Sequence, residues 1–441
     1  MKHKFIIVPI DKASANISFI CKYFYFKVLC DEIKNVTAYE KCDSNPADIS
    51  KLLTDNTKVI AKNQDIPSQS LPFMYWIPKM HKTPIKFRFL VSQRNCPSKP
   101  VSKIVTKVLS LVLKQHRVYC RALYNYTGIN RMWIADNSKD VIDVIDKLNL
   151  KTKAVSCSQY DFSSLYPSLP HDQLKINLHW CIEKAFKGSR KEYISVYNTY
   201  ANFTNKPKDS TLAFNCEQIK RIVDFQIENS FFQVGQHIFR QILGISMGWD
   251  PAPFAANLTL YCDEHKFIEK LTKQNYSAAK CFNNTRRFID DLNNLNDKNN
   301  FDRFKKQIYS DALTCNKENE LNTSGTFLDF EINIVDDKFT YKTFDKRDLF
   351  SFDIVKYPSL KTNIPDKIVY NVFITQVLRF ARTSSEADYF VTRVQRLITD
   401  FLSKHCKKQK LYNVLKQQFA KKDEFKKFKV TSEHLLNSII V

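Results

Sequence analysis

Glycine and long apolar runs are scarce in this sequence. Only six of its 441 residues are glycine, which excludes collagen-like and Gly-rich repeat chains. No apolar run reaches the roughly 18 residues that a membrane-spanning helix needs. No secretory signal opens the chain, because Asp11 and Lys12 interrupt its first apolar stretch. We therefore expect no membrane partner, and a location in the nucleus or cytoplasm rather than secretion.

The sequence also lacks the motifs of several common sites. Its twelve cysteines include no C-x-x-C pair, which is typical of reduced thiols and not of a disulfide framework or zinc ribbon. The nine histidines form no H-x-x-x-H pair, which disfavours a zinc site. Neither G-x-S-x-G nor a P-loop occurs, which disfavours a serine hydrolase or a P-loop nucleoside triphosphatase.

Acidic residues are absent from one long segment. The chain has 68 Lys and Arg against 45 Asp and Glu, a net charge of +23, which favours a polyanionic partner. Residues 66–135 contain no acid but twelve Lys and Arg. Chance in a basic protein is the plain explanation. Interleaved aromatic residues favour a face that meets nucleic acid: Phe73, Tyr75, Trp76, Phe87 and Phe89.

A second basic block lies at 404–429, with ten lysines opposed only by Asp423 and Glu424. Apolar residues recur there every four positions, at Leu411, Leu415 and Phe419, so the block predicts an amphipathic helix with a basic outer face. A soluble surface helix and a helix that faces nucleic acid are about equally good interpretations.

Hydrophobic periodicity predicts the main elements. A strand at 5–8 should run into a turn at Asp11-Lys12, and 39–69 reads as a weakly structured connection. Helices are predicted at 103–113, 172–185, 195–203, 255–271 and from 367 onward. Strict alternation predicts a strand at 327–335 that turns at Asp336-Asp337 into a hairpin.

Two short motifs hold acidic residues between apolar neighbours. One is Tyr160-Asp161-Phe162, and the other is Phe288-Ile289-Asp290-Asp291, which predicts a hairpin with Asp-Asp at its tip. Either alone is most often an ordinary turn. Together, three carboxylates at adjacent strand ends would repel one another unless cations lay between them. Two Mg²⁺ ions held in this way can clamp the two oxygens of a phosphoryl displacement.

Further motifs lie in a consistent order around these two. Asp161 with Tyr166, the segment 241–253 and Phe288-Ile289-Asp290-Asp291 resemble motifs A, B and C of reverse transcriptases, and 75–82 and 87–92 resemble the fingers motifs. The Pro-Lys-x-His-Lys and Gly-x-x-Met-Gly forms are most similar to Penelope-like retroelement reverse transcriptases, which are relatives of telomerase.

The resemblance implies an α+β right-hand polymerase fold with an antiparallel palm sheet and a mostly helical thumb. The implied domains are an N-terminal extension (1–60), fingers (61–150), a palm (151–336) and a thumb with the basic C-terminal helix (337–441). Members of this family often carry a GIY-YIG endonuclease, and no such motif occurs in this sequence. The oligomeric state is not indicated.

The resemblance also implies roles for individual residues. Asp161 and Asp290 match the metal-bridging carboxylates, Asp291 the accessory acid, and Tyr166 the aromatic steric gate against a ribose 2′-hydroxyl. The other residues implied to bind the nucleotide are Lys79, Arg88, Gln241, Gly244 and Gly248. The two glycines are expected to let the backbone approach the nucleotide closely.

The implied activity is RNA-directed DNA synthesis, with an RNA template, a DNA primer, dNTPs and Mg²⁺ or Mn²⁺. Ser246 and Trp249 depart from the family pattern, and Trp249 is expected to narrow the nucleotide site or template path. The alternative is a catalytically degenerate relative that only binds nucleic acid. The retained acids and Tyr166, which binding alone does not require, favour the enzyme.

Overall fold

We analysed a computed structural model of the chain, which describes residues 4–62, 64–66, 70–209, 211–431 and 435. Helices and strands alternate through this part of the chain. None of its described helices combines the length and the apolar character that a bilayer crossing requires.

The strands are β1 (Phe5–Ile10), β2 (Ala13–Cys21), β3 (Tyr39–Cys42), β4 (Phe73–Lys79), β5 (Lys86–Ser92), β6 (Cys157–Ser163), β7 (Tyr193–Val196), β8 (Ala201–Thr204), β9 (Leu212–Asn215), β10 (Phe231–Val234), β11 (His237–Gln241), β12 (Arg286–Phe288), β13 (Asp291–Leu295), β14 (Thr314–Lys317), β15 (Ser324–Phe327), β16 (Phe330–Val335) and β17 (Lys338–Thr343).

The helices are α1 (Lys22–Ile33), α2 (Pro46–Ala61), α3 (Lys99–Thr127), α4 (Ser138–Lys151), α5 (Leu165–Ser168), α6 (His171–Ser189), α7 (Cys216–Glu228), α8 (Ala252–Gln274), α9 (Tyr276–Cys281), α10 (Asn300–Ile308), α11 (Asp366–Arg382), α12 (Ala387–Ser403) and α13 (Lys408–Lys421). Short 3-10 helices occur at Phe282–Asn284, Lys346–Leu349 and Asp423–Phe428.

A four-stranded sheet in the order β12-β13-β6-β14 lies at the centre of the chain, and its described ladders are antiparallel. Behind it α3, α6 and α8 pack together. Asn177 on α6 donates to the Thr259 carbonyl on α8 at 3.0 Å, and the His116 ring on α3 lies 2.8 Å from the Cys181 carbonyl on α6. Because these helices bury apolar side chains against the sheet, they fix it as a rigid platform.

The N-terminal hairpin packs on a second sheet. β1 and β2 pair through the turn at Asp11-Lys12, which confirms the predicted turn. The buried face of the hairpin, with Val8 and Ile20, packs against the five-stranded sheet β3-β11-β10-β4-β5. Trp76 of β4 is nearly fully buried there and stacks on Tyr25 of α1 at 4.6 Å between ring centroids.

The C-terminal helices α11, α12 and α13 form their own hydrophobic core. Leu411 and Leu415 of α13 are buried in it, which confirms the predicted amphipathic helix. Arg379 of α11 donates to Asp329 at 2.9 Å and so joins this core to the β15–β16–β17 sheet. The predicted domain boundaries stay predictions.

The expectation of weak structure at 39–69 is wrong. β3 and α2 occupy much of this segment, and the Asn45 side chain accepts from the Ala47 backbone N–H to cap α2. Ile49, Leu53 and Ala61 lie on the buried face of the helix. Only a narrow apolar stripe of α2 is buried. Because most of its other residues are polar, the helical periodicity was not recognised in the sequence.

Two further expectations need correction. The segment 195–203, predicted as a helix, belongs mainly to β7 and β8, because Ile194 and Val196 pair with β9 and tertiary pairing overrides local spacing. The strand predicted at 327–335 breaks at Leu328, where a positive φ of 55° turns the chain between β15 and β16. The hairpin at Asp336-Asp337 and the helices at 103–113, 172–185 and 255–271 are confirmed.

Candidate active site

Two neighbouring strands bring three carboxylates together. Asp161 lies in β6 and Asp291 opens β13, and the two are direct partners across the ladder. Asp290 lies in the short turn between β12 and β13. One carboxylate oxygen of each residue lies within 4.8 Å of the other two, and all three residues are half-buried. This confirms the predicted clustering of Asp161, Asp290 and Asp291.

The three carboxylates are held under mutual repulsion. Burial, together with the negative charges of Asp290, Glu318 and Asp291, raises the pKa of Asp161 to about 7. Burial raises the pKa of Asp291 to about 6, although the positive charge of Lys346 opposes that shift. A cation between the carboxylates would relieve the repulsion. Carboxylate oxygens are hard ligands, so the donor set fits a hard divalent cation such as Mg²⁺.

Strand register explains why Glu318 reaches this site. Asn316 of β14 faces Asp161 across the ladder, and side chains two residues apart share a face. Glu318 therefore lies on the face of the acids, while Lys317 lies on the opposite face, with its Nζ 3.8 Å from Asp302. Sequence reasoning missed Glu318, because the register of β14 against β6 was unknown.

A buried arginine holds the turn that carries Asp290. Arg287 of β12 is fully buried, and its Nη1 donates to the Ile289 carbonyl at 3.0 Å and to Asn257 Oδ1 at 2.8 Å. Ile289 has a positive φ of 57°, which is costly for a β-branched residue. The Arg287 contacts therefore fix a strained backbone immediately before Asp290.

Glu264 of α8 completes this buried network. Arg287 Nε donates to Glu264 Oε1 at 2.5 Å and Nη2 to Oε2 at 3.2 Å. Tyr309 donates its hydroxyl proton to Glu264 Oε1 at 2.8 Å. Both charged side chains are fully buried, so removal of one partner would leave the other charge buried and unpaired. Sequence reasoning missed this pair, since a lone Glu in a helix gives no local signal.

Tyr166 follows Asp161 on the short helix α5. Its ring is half-buried, and burial, with the negative charge of Asp290 as a second cause, raises the pKa of its hydroxyl to about 12. The negative charge of Asp290 thus acts on the Tyr166 hydroxyl. This position agrees with the implied steric gate, whose role stays a prediction.

Gly244 and Gly248 approach protein backbone. A Cβ on Gly244, which has a φ of +83°, would lie 2.5 Å from the Tyr166 carbonyl oxygen, and one on Gly248 would collide with the Val91 carbonyl oxygen. Ile245 N–H also donates to the Tyr166 carbonyl at 2.6 Å. In the structure the close approach at both glycines is thus to protein backbone, at Tyr166 and in β5. Their contact with a nucleotide stays a prediction.

Trp249 and Gln241 point into the protein. Trp249 is buried and its indole N–H donates to Gln226 Oε1 at 3.0 Å, so the expectation that it narrows the nucleotide site or template path is wrong. Ser246, the other departure, is also buried. Gln241 is buried at the end of β11 and its amide donates to the Leu243 carbonyl at 2.9 Å. Its contact with a base or nucleotide stays a prediction.

The fingers cations gather at the tip of the N-terminal hairpin. Arg88 of β5 lies 3.3 Å from Asp11, which is buried, and the Asp11 N–H donates to the Pro78 carbonyl of β4 at 3.0 Å. Burial and the charge of Arg88 lower the pKa of Lys79. Lys12 at the same turn adds a further cation: burial lowers the pKa of its ammonium group, and the positive charges of Lys346 and Arg88 also lower it. Lys12 and Lys346 were missed by sequence reasoning.

No protein-family model and no curated protein sequence matches this chain. Solved structures do match it. Telomerase from Candida albicans, in complex with a TWJ fragment of telomeric RNA, superposes with a TM-score of 0.63 at 13% identity, over 99% of this chain and 70% of that one. Apo telomerase from Candida tropicalis gives a TM-score of 0.52 at 14% identity over the same shares.

This chain has a right-hand polymerase fold. The four-stranded antiparallel sheet with Asp161, Asp290 and Asp291 is its palm, and the C-terminal helices are its thumb. The fold class predicted from the motifs is confirmed. At these identities the likeness shows the fold, and the chemistry rests on the residues of the site.

The crowded carboxylates should make the metal-free palm less stable. The pKa of Asp161 is about 7 in the folded protein and about 3.9 in an unfolded chain. Its ionisation therefore costs stability from about pH 4 upward, and the full cost is present above pH 7. We expect Asp161→Asn to raise the metal-free melting temperature at pH 8 by roughly 1–3 °C, with a smaller gain at pH 5.

Calorimetry with a chelator measures this difference. Mg²⁺ should stabilise the wild type at pH 8 and have little effect on the variant. Asp311→Asn, at an exposed position outside the site, is the matched control. Equal melting temperatures of wild type and Asp161→Asn at pH 8 would show that the acids do not repel.

The buried Arg287–Glu264 pair should matter more for the site than for the fold. Arg287→Met or Glu264→Leu alone should cost about 3–5 kcal/mol of unfolding free energy, whereas the double variant should be close to neutral. The double variant loses the hydrogen bond to the Ile289 carbonyl, so its Mg²⁺-dependent rise in melting temperature should shrink. A stable double variant with an unchanged metal response would contradict the positioning role.

Proposed function

We propose that this chain is an RNA-directed DNA polymerase that adds deoxynucleoside monophosphates to a primer 3′ end. The observation that carries the proposal is the cluster of Asp161, Asp290 and Asp291 within 4.8 Å, beside Tyr166 on a right-hand polymerase fold. The Candida albicans telomerase that this chain resembles was solved with a telomeric RNA fragment, which supports RNA as the template.

The acids would hold the metal ions. Asp161 and Asp290 would hold Mg²⁺ or Mn²⁺, with Asp291 as the accessory ligand. Bound metal would stabilise the attacking 3′-hydroxyl oxygen and the leaving pyrophosphate oxygen. Arg287 and Glu264 keep the Asp290 carboxylate in place through the β12–β13 turn.

Cations on the fingers side would bind the triphosphate of the incoming dNTP. Arg88, held by Asp11 at 3.3 Å, and Lys79 would form charge-assisted hydrogen bonds to phosphate oxygens. The half-buried Tyr166 ring would collide with a ribose 2′-hydroxyl and so favour deoxynucleotides. Gln241, Gly244 and Gly248 would support the nucleotide site from the motif B loop.

The Penelope-like form of the motifs supports a retroelement enzyme as the specific type. The relevant segments are Pro78-Lys79-Met80-His81-Lys82 and Gly244-Ile245-Ser246-Met247-Gly248. Such an enzyme would work in the nucleus or cytoplasm with an RNA template and a DNA primer.

Primer extension tests the proposed activity. Purified protein with Mg²⁺ and dNTPs should extend a labelled DNA primer on an RNA template. Asp290→Ala should reduce extension about 10³-fold or more, because metal-assisted charge stabilisation is worth several kcal/mol. Primer–template affinity should change little, since the basic surface remains.

Asp311→Ala, at an exposed residue outside the site, should extend like the wild type. Tight primer–template binding without extension by the wild type would favour the alternative, a relative that only binds nucleic acid. Equal extension by wild type and Asp290→Ala would show that the metal assignment is wrong.

Tyr166 should set the choice of sugar. Tyr166→Ala removes the ring, so we expect the ratio of ribonucleotide to deoxynucleotide incorporation to rise roughly tenfold. Single-nucleotide incorporation with rNTP or dNTP measures this ratio. Tyr166→Phe keeps the ring and should keep the wild-type ratio. An unchanged ratio in Tyr166→Ala would remove Tyr166 from the sugar site.

A further inference from the structure

One face of the N-terminal hairpin is apolar and exposed. Ile7 pairs with Phe19, and Phe5 and Ile17 lie on the same face. Between 42% and 58% of each of these four residues is exposed. Single exposed apolar residues are ordinary, but a contiguous face of this kind marks a binding surface.

Helix α1 continues this face into a groove. The groove has a volume of about 940 Å³ and lies between the open end of the hairpin and one stripe of α1. Tyr23 is 79% exposed and Phe26 42% exposed along its wall, where they face the same space as Phe5. The opposite side of α1 is buried, with Tyr25 stacked on Trp76, so the helix holds these rings rigidly.

Lysines surround the aromatic rings of the groove. Lys4, Lys22, Lys27 and Lys34 all line it, and Asp31 is the one acidic residue among the described residues of its lining. Asp31 pairs with Lys34 at 2.9 Å. Among the described residues, none lies within ion-pair distance of Lys4, Lys22 or Lys27. The groove therefore carries an uncompensated positive charge beside exposed rings.

This chemistry selects one kind of occupant. Protein–protein interfaces are depleted in lysine at their centres, whereas single-stranded nucleic acid binds through base stacking on aromatic rings with cations on the phosphates. Phe5, Tyr23 and Phe26 provide the rings, and the surrounding lysines provide the charge.

The groove is also continuous with the candidate active site. β1 runs from Phe5 beside the groove to the turn at Asp11-Lys12, a span of about 20 Å at 3.3 Å per residue. At that turn Asp11 lies 3.3 Å from Arg88, one of the cations proposed to bind the triphosphate. A nucleic-acid strand that lies along the exposed hairpin face would reach this proposed nucleotide-binding region.

We propose that this groove binds the single-stranded template before it enters the active site. Bases stack on Phe5, Tyr23 and Phe26, and the phosphates contact Lys4, Lys22 and Lys27. The inference rests on the proposed polymerase function and adds the path of one substrate strand. It assigns a binding role to an N-terminal element that holds none of the residues predicted for the site.

Overhang length separates this binding from binding at the active site. Fluorescence anisotropy compares the affinity of the full chain for RNA–DNA primer–templates with a 2-nucleotide or a 12-nucleotide 5′ template overhang. The wild type should bind the longer overhang more tightly. Phe5→Ala/Tyr23→Ala/Phe26→Ala should weaken binding of the long overhang about tenfold and leave the short one unchanged. Tyr126→Ala, at a 91% exposed tyrosine outside the groove, is the matched control.

Salt dependence tests the lysines separately. Lys22→Gln/Lys27→Gln should reduce the salt slope of long-overhang binding by about 1.4, since each phosphate contact on a single strand contributes about 0.7. Its slope for the short overhang should not change. Thermal unfolding of each variant verifies that these exposed substitutions leave the fold intact.

The outcomes separate this inference from the proposed function. Primer extension by the wild type without any overhang effect would overturn the groove and leave the polymerase intact. An overhang effect without extension would support the groove and count against the polymerase. If the triple variant instead abolished self-association in sedimentation and left overhang binding unchanged, the face would join copies of the chain and the proposal would be wrong.

Discussion

The geometry of the candidate active site depends on one buried ion pair. Arg287 and Glu264 are both fully buried, where charged groups survive only with complete hydrogen bonding. Arg287 completes its own with Asn257 and the Ile289 carbonyl. The pair thereby ties α8, which follows motif B, to the turn that carries Asp290. Two segments that are distant in the sequence are thus held in one geometry by a contact that lies beneath the cluster of carboxylates.

A second constraint is electrostatic. The palm places three carboxylates together with Glu318 nearby, and burial makes their ionisation costly. Positive charge approaches from two other parts of the chain, with Lys12 at the hairpin tip and Lys346 after β17. Neither lysine forms an ion pair with the acids in the described part of the chain. The centre thus suits cations, and the surrounding lysines suit a polyanion such as a triphosphate.

Local signals were enough to predict part of this molecule. The Asp-Asp hairpin and the motif around Asp161 could be recognised in the sequence because each is only a few residues long. The order of the motifs along the chain then indicated the fold. Contacts between distant segments could not be predicted from the sequence. Register decided that Glu318 and not Lys317 faces the acids, and packing against protein backbone gave Gly244 and Gly248 their need for glycine. The burial of Trp249 against Gln226 likewise has no signature in its own neighbourhood.

The two faces of the N-terminal hairpin show how a local sequence pattern and a distant contact act together. Its buried face packs on the sheet of β4 and β5, which fixes Asp11 against Arg88. The strict alternation of a strand then forces the intervening side chains to the other face, where Phe5, Ile7 and Phe19 are exposed. An element that only supported Arg88 would gain solubility from polar residues at these positions. Apolar residues at these positions fit the proposed second role of the hairpin, in which its exposed face binds the single-stranded template. The same hairpin would then guide the template toward the site for which it positions Arg88.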